Sequence, residues 1–204
     1  MAVSVQSGGL VVDIALRVAM LAMLGSVLRA GRHDPRYAGK GIGVRFGLVA
    51  MPSSLLVPAL WLGGRRLRRA ADVPPDPYPA WMDDLWISLL ALDLAGNVFD
   101  LYDGYKHFDL IPHAHGTGAL TVTVAWLLRL PPRRAIAVAS VLHGLLEVQE
   151  YASDKAFGFR NVRGWWDVVG DLSAGAAGSV AYAVAYERLV RAAGREAPSP
   201  LRSA

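Results

Sequence analysis

Residues 8–29 read GGLVVDIALRVAMLAMLGSVLR, a run in which Asp13, Arg17 and the terminal Arg29 are the only charged positions. A helix needs about 20 largely apolar residues to cross a bilayer core of about 30 Å. This run meets that length and predicts a membrane-spanning helix. Its length exceeds the apolar region of a signal peptide, and residues 1–9 carry no Lys or Arg, so a retained helix is expected. Five further stretches come close: 42–63, 82–102, 112–130, 135–152 and 165–190. The expected fold is therefore all-α, a polytopic transmembrane helical bundle of about six helices. Pro52 and Pro58 predict kinks in the second stretch, which packed membrane helices tolerate. The third and fifth stretches are the most polar, and the fourth begins in the loop-like sequence IPHAHGTG.

Composition fits that architecture. The chain has 204 residues, 53% of them hydrophobic, a formal charge of +4 and a pI near 9.6. The basic residues fall in short clusters between apolar runs. That pattern suits loops facing anionic lipid rather than a nucleic-acid interface, so the bilayer is the expected partner and nucleic acid is not. Cysteine is absent, which excludes disulfides, thiol nucleophiles and Cys-based metal sites. Arg outnumbers Lys 18 to 3, with abundant Ala and Gly, as a GC-rich bacterial genome would produce. With the N-terminus inside, the cytoplasmic segments hold eleven Lys and Arg against eight outside. The positive-inside rule then favours a multi-pass protein of the bacterial cytoplasmic membrane with both termini cytoplasmic, although the first loop alone points the other way. No composition break divides residues 1–194, which read as one transmembrane domain. Residues 70–80, AADVPPDPYPA, form a proline-rich connector, and 195–204 a disordered tail. Trp81 with Trp86, and Trp165 with Trp166, suit the membrane interface.

Polar residues interrupt the apolar runs at helical spacing. The third stretch carries Asp93, Asn97, Asp100, Asp103 and His107, and the fifth carries Ser140, His143, Glu147, Glu150 and Asp154. Steps of three and four put each set on one helical face. The sixth adds Asp167 and Asp171 before the small-residue run SAGAAGS. Each charge at mid-membrane costs about 2.5–3.5 kcal/mol on insertion scales. The acids must therefore converge on an interior cavity, hold protons, or be neutralised. His107, His113, His115, His143 and Lys106 are the available cations, and a divalent ion or shared protons would complete the balance. A purely structural polar core, with Asp103, Glu150 and Asp154 at helix ends in water, is the competing reading. Asp13 and Arg17, one turn apart, are expected to form an intrahelical ion pair. Arg45 is expected to snorkel to headgroups or hold a lipid phosphate. His113 and His115 point to opposite sides of any helix, so at most one faces a given ligand. His33 reads as a loop residue, and Gly175 and Gly178 as sites of close helix packing.

The segments YDGYKHF (102–108), GLLEVQEY (144–151) and WWDVVGDLSAGAAG (165–178) together resemble the VanZ-like group of bacterial membrane proteins, most nearly its YjdF-type branch. The likeness covers about 98–185. It pairs Asp103 with His107, Glu147 with Glu150, and Asp167 with Asp171, followed by Gly178. Glu150 and Asp171 stand where VanZ itself would have glutamine and asparagine. The resemblance implies a multi-pass envelope protein acting near lipid-linked precursors, without naming a reaction.

Three functions follow from these residues. The first is a metal-dependent site acting on an envelope lipid or lipid-linked substrate. Its catalytic or ligand groups would be Asp103, His107, Glu147, Glu150, Asp167 and Asp171, with Asp100 and His143 completing the metal-ligand set. Oxygen ligands favour Mg²⁺ or Mn²⁺, and the histidines bring in Zn²⁺ or iron. The second is a proton- or cation-coupled transporter or lipid translocator using the same stripe. The third is a non-catalytic accessory protein. Ser140 near His143 lacks a nucleophile-elbow context, and no Walker or Rossmann glycine pattern occurs.

Overall fold

The computed structural model describes residues 3–30, 34–70 and 78–192, with the side chains of 3–10, 67–68 and 191–192 left aside. His33, most of the proline-rich connector and the 195–204 tail lie outside the described residues. Every regular element among the described residues is helical. Where the sequence reads as one continuous domain, two compact units are found, Met1–Asp100 and Leu101–Ala204.

In the first unit, α1 (Val3–Ala30) packs on a later helix, α5 (Ala80–Val98). Between them, α2 (Ile42–Val44) runs into a π-helical stretch, Arg45–Ala50, then α3 (Met51–Ser53); the chain turns at Ser54–Leu55 and resumes as α4 (Leu56–Ala70). The prolines account for these irregularities. Pro52 has no N–H to donate, and just before it the Met51 N–H reaches back five residues to the Phe46 carbonyl. Pro58 likewise leaves the Ser54 carbonyl without its intrahelical donor. Arg17 Nη2 donates to that carbonyl at 2.7 Å, and the Trp86 indole N–H donates to the Ser53 carbonyl at 2.8 Å. α5 (Ala80–Val98) closes the unit. Met20, Leu24 and Val27 of α1 meet Ile87, Ala91 and Leu94 of α5 across Ile42, Phe46 and Ala50 in the core.

Three expectations change here. The same Arg17 Nη2 bonds both Asp83 oxygens, at 3.0 and 2.9 Å, so the guanidinium serves Asp83 across the bundle rather than the Asp13 carboxylate one turn away. Arg45 turns inward to Asp93 at 3.3 Å. The long stripe from Asp93 to His107 does not lie on one helix. α5 ends at Val98, Asp100 adopts a left-handed φ of 59°, and only a single turn, α6 (Leu101–Gly104), follows.

The second unit contains α7 (Leu110–Leu128), α8 (Pro132–Phe157) and α9 (Trp165–Ala192). The IPHAHGTG segment is helical, not loop-like. Pro112 sits in the first turn of α7, where its missing N–H costs nothing. The glycines of this segment serve packing. A Cβ on Gly178 of α9 would overlap the Ala114 carbonyl of α7, and one on Gly118 would come within 3.1 Å of the Gly178 carbonyl oxygen. The two backbones thus approach as small-residue membrane interfaces do. Thr121 Oγ1 donates to Ser179 Oγ across this contact at 2.9 Å. Gly158, at φ 69°, terminates α8, and the Asp154 carboxylate anchors the following loop through the Asn161 and Val162 N–H groups.

Among the described residues, three helical segments, Val11–Ala30, Ile42–Arg66 and Trp165–Val190, are long and apolar enough to cross a membrane by length and composition. α8 is inside-out in polarity. Val141, Leu145 and Val148 are 63%, 59% and 65% exposed, while His143 and Glu147 are each 4% exposed. A helix whose middle hides its ionisable groups and shows its apolar ones, with exposed Arg133, Arg134 and Lys155 near its ends, suits lipid better than water.

Gly178→Ala should lower thermal stability in detergent by about 1–3 kcal/mol through overpacking. Gly144→Ala, whose added Cβ meets nothing within 4 Å, should be neutral or gain up to about 1 kcal/mol from helix propensity. Equal effects would contradict the close α7–α9 approach.

The loop after α1 offers a pH test. Arg36 bonds the Asp34 carboxylate at 3.0 and 2.7 Å, and its Nη1 reaches the Val98 carbonyl at 3.1 Å. The side-chain bond from Arg36, then its backbone N–H, hold the Asp34 carboxyl below its usual range. A depressed carboxyl contributes stability above its unfolded pKa and loses it as pH falls through the folded one. The protection of the amides of residues 36–38, corrected for the intrinsic pH dependence of exchange, should therefore fall on acidification, and Asp34→Asn should remove that fall.

Candidate metal centre

The close α7–α9 contact places the first turns of α7 beside α9 and the middle of α8. Asp109, which immediately precedes α7, and His113 within it are one turn apart; on α8, so are His143 and Glu147; α9 contributes Asp171. His113 Nδ1 lies 2.9 Å from His143 Nε2 and 3.4 Å from Glu147 Oε1, and His143 Nε2 lies 3.3 Å from the same oxygen. The other ring nitrogen of His113, Nε2, lies 3.5 Å from Asp109 Oδ1 and 3.7 Å from Asp171 Oδ1. Two groups could thus hold a metal ion, His113–His143–Glu147 and Asp109–His113–Asp171.

Both imidazoles are well buried, as are the Glu147 and Asp171 side chains. Glu147 Oε1 has no hydrogen-bond donor despite its two imidazole neighbours. Their nitrogens are near enough for ionic contact but are not aligned to donate. An acceptor-only oxygen buried without a donor is costly, and a cation is the alternative partner. Three ionised carboxylates outnumber the two histidines, so a net negative charge would remain even with both imidazoles protonated.

Local packing fixes the ring positions. A Cβ on Gly175 of α9 would overlap the His143 imidazole and come 2.7 Å from Thr117 Oγ1. Thr117 in turn donates to the His113 carbonyl at 2.8 Å. Gly175 is therefore the space in which the His143 ring sits.

Among the residues expected from sequence, the structure brings together His143, Glu147 and Asp171. Asp103 is exposed and faces Arg163 at 3.8 Å, and His107 is exposed near the end of the short α6 turn. Asp167 accepts the Arg163 backbone N–H at 2.8 Å, a helix-start contact for α9. Glu150 is half-buried one turn beyond Glu147, and Asp100 occupies the left-handed turn after α5. Sequence reasoning passed over Asp109 altogether and left His113 out of the ligand set. Their four-residue spacing was the available signal, obscured by reading IPHAHGTG as loop. His115 lies on the other side of α7, where its Nδ1 meets the Tyr182 hydroxyl at 2.6 Å, so only one of the two histidines enters the cluster.

Comparison with family models, curated proteins and solved structures finds no match to this chain. The VanZ-like resemblance thus rests on its three sequence motifs alone.

Gly175→Ala should displace the His143 ring and destabilise the second unit, and His143→Ala should remove that clash. Thermal unfolding of both single variants and the double variant should show coupling of about 0.5–3 kcal/mol. Additive losses would mean that Gly175 does not hold the ring in place.

Proposed function

We propose that this chain is a six-pass membrane protein whose second unit binds a divalent transition-metal ion at His113, His143 and Glu147, and uses it on an amphiphilic, lipid-linked substrate. The six passes are α1, the α2–α4 segment, α5, α7, α8 and α9. α5 and α7 each have 19 residues, a rise of about 28 Å at 1.5 Å per residue. The inside-out polarity of α8 supports its membrane placement. The Arg and Lys distribution favours cytoplasmic termini in a bacterial inner membrane.

The observation that carries the metal reading is the triangle of ligand atoms with edges of 2.9, 3.3 and 3.4 Å. Ligands about 2.05 Å from a tetrahedral zinc ion stand about 3.3 Å apart, so one ion can reach all three with ordinary bond lengths. The donor set, two imidazoles and one carboxylate, suits zinc, iron or manganese better than magnesium. It also matches the three-protein-ligand pattern that leaves a position open for water or substrate.

The second ring nitrogen of His113 faces Asp109 and Asp171. In metal sites such carboxylates fix the tautomer and orientation of the ligating ring. Asp109 and Asp171 therefore read as the groups that hold His113 with Nδ1 toward the ion. A bound divalent ion would supply Lewis-acid activation of water or of a phosphoryl oxygen. The apolar outer faces of the helices would deliver a lipid-borne substrate laterally, consistent with the VanZ-like resemblance to envelope proteins.

Elemental analysis of detergent-purified protein tests this reading. Wild type should carry about one divalent transition-metal ion per chain. Glu147→Gln and His143→Ala should lose it, and Asp171→Asn should weaken affinity about 10–100-fold. His107→Ala, an exposed position outside the cluster, should keep full occupancy. Negligible metal in wild type after growth and titration with zinc, manganese and iron would overturn the proposal.

A further inference from the structure

The first unit contains a separate buried ionic group. Asp13 of α1 is 1% exposed and Asp83 of α5 is fully buried, with Asp84 beside it half-buried. Arg17 neutralises Asp83 through the two bonds described above, and Tyr78 donates its hydroxyl to Asp83 Oδ2. Burial, then this bond to Asp83, push the Tyr78 hydroxyl up, so it remains a neutral donor. Trp61 of α4 meets the Tyr78 ring edge-on at 5.3 Å, with Arg65 over the Trp61 ring. The break between α3 and α4 contributes only the Ser54 carbonyl, already bonded to Arg17.

That inventory leaves a remainder. Both Asp13 carboxyl oxygens and Asp84 Oδ1 are buried without a hydrogen-bond partner. The two side chains lie within hydrogen-bonding reach of each other, and Asp83 adds a third negative charge nearby. The only guanidinium among the described residues that bonds this group, Arg17, donates to the Asp83 carboxylate and to the Ser54 and Asp13 carbonyls, and not to the carboxylates of Asp13 or Asp84. Two carboxylates at contact repel each other, and three of their four oxygens are buried without a donor. One proton between them removes a charge and supplies the missing donor at once, the arrangement known from paired acidic residues. A metal ion fits less well, because Asp13, Asp83 and Asp84 do not offer three oxygens close enough to share one.

We propose that Asp13 and Asp84 bind one proton between them as a carboxylic acid–carboxylate pair, which makes the first unit a proton-binding module distinct from the candidate metal centre. The proton is taken from water, and its uptake neutralises one of the two carboxylates. Arg17, Asp83 and Tyr78 are the fixed frame: their charges and bonds are mutually satisfied and do not change when the pair titrates. Asp13 lies about three turns into α1, which begins at Val3, and Asp84 lies in the second turn of α5.

Infrared spectroscopy of aspartate-labelled protein tests this, after exhaustive chelation so that the second unit's metal plays no part. Wild type at neutral pH should show the C=O stretch of one protonated aspartic acid. The band should vanish in both Asp13→Asn and Asp84→Asn, which preserve shape and remain foldable. It should persist in Asp171→Asn and be unaffected by exchanging sodium for choline. Absence of the band in folded wild type would overturn the proposal. So would a band that survives both single variants, or a sodium-dependent rise in thermal stability without any such band.

Discussion

Ionisable and backbone polar groups inside helices with apolar outer faces can be satisfied only by one another. Water is excluded from the interior of such a bundle, and lipid offers no donor or acceptor. That constraint explains why Arg17 bonds a carbonyl freed by Pro58 and a carboxylate from another helix, rather than the carboxylate of Asp13, the aspartate nearest in sequence. It explains Arg45 turning in to Asp93 instead of out to headgroups. It also isolates the oxygens that the protein leaves unserved. On Asp13 and Glu147 they mark places where something other than protein must be the partner.

Close backbone approach turns this constraint into a site. α9 meets α7 where Gly178 faces the Ala114 carbonyl, and one helical turn earlier Gly175 leaves room for the His143 ring. A further turn toward the N-terminus of α9, Asp171 meets His113. One stripe of α9 thus does three things in sequence: it sets the helix separation, accommodates one imidazole and orients another. The small residues contribute no chemistry of their own. They fix the distance at which the chemistry of α7 and α8 becomes mutual.

The parts of this arrangement that periodicity can encode were legible in the sequence. His143 and Glu147 share a face of one uninterrupted helix, and Asp171 precedes a small-residue run, so spacing alone identified all three. The breaks were not legible. Nothing in the spacing of Asp93, Asn97, Asp100 and Asp103 announces that α5 stops at Val98 and that Asp100 takes a left-handed φ. Conversely, the proline and glycines of IPHAHGTG resemble a loop in isolation. They become helical because Pro112 falls in a first turn and the glycines are contact points for another helix. Both errors have one physical origin: tertiary contacts decide where a helix ends, and Gly and Pro carry opposite meanings at its end and at its interface. The Asp13–Arg17 spacing misled for a related reason. A four-residue pair is worth only about 0.2–0.5 kcal/mol on a helix, less than a bidentate, buried contact with Asp83 offers.

The two buried groups differ in a way that assigns them different occupants. In the first unit the cation is a guanidinium, which stays protonated and presents donors only. It can neutralise one carboxylate, but it can never give up its place to a metal ion. What remains is a pair of carboxyls in hydrogen-bonding reach, the geometry that one proton completes. In the second unit the basic groups are imidazoles, which when neutral each offer a lone pair. His113 and His143 direct ring nitrogens to within 2.9 Å of each other beside a donorless carboxylate oxygen. A proton shared by the two rings would satisfy both nitrogens and still leave Glu147 Oε1 without a donor. An ion bound by all three atoms satisfies every member of the triangle. An unpartnered carboxylate oxygen occurs in both groups, so it is the imidazole lone pairs beside Glu147 that separate the proposed metal centre from the proposed proton pair.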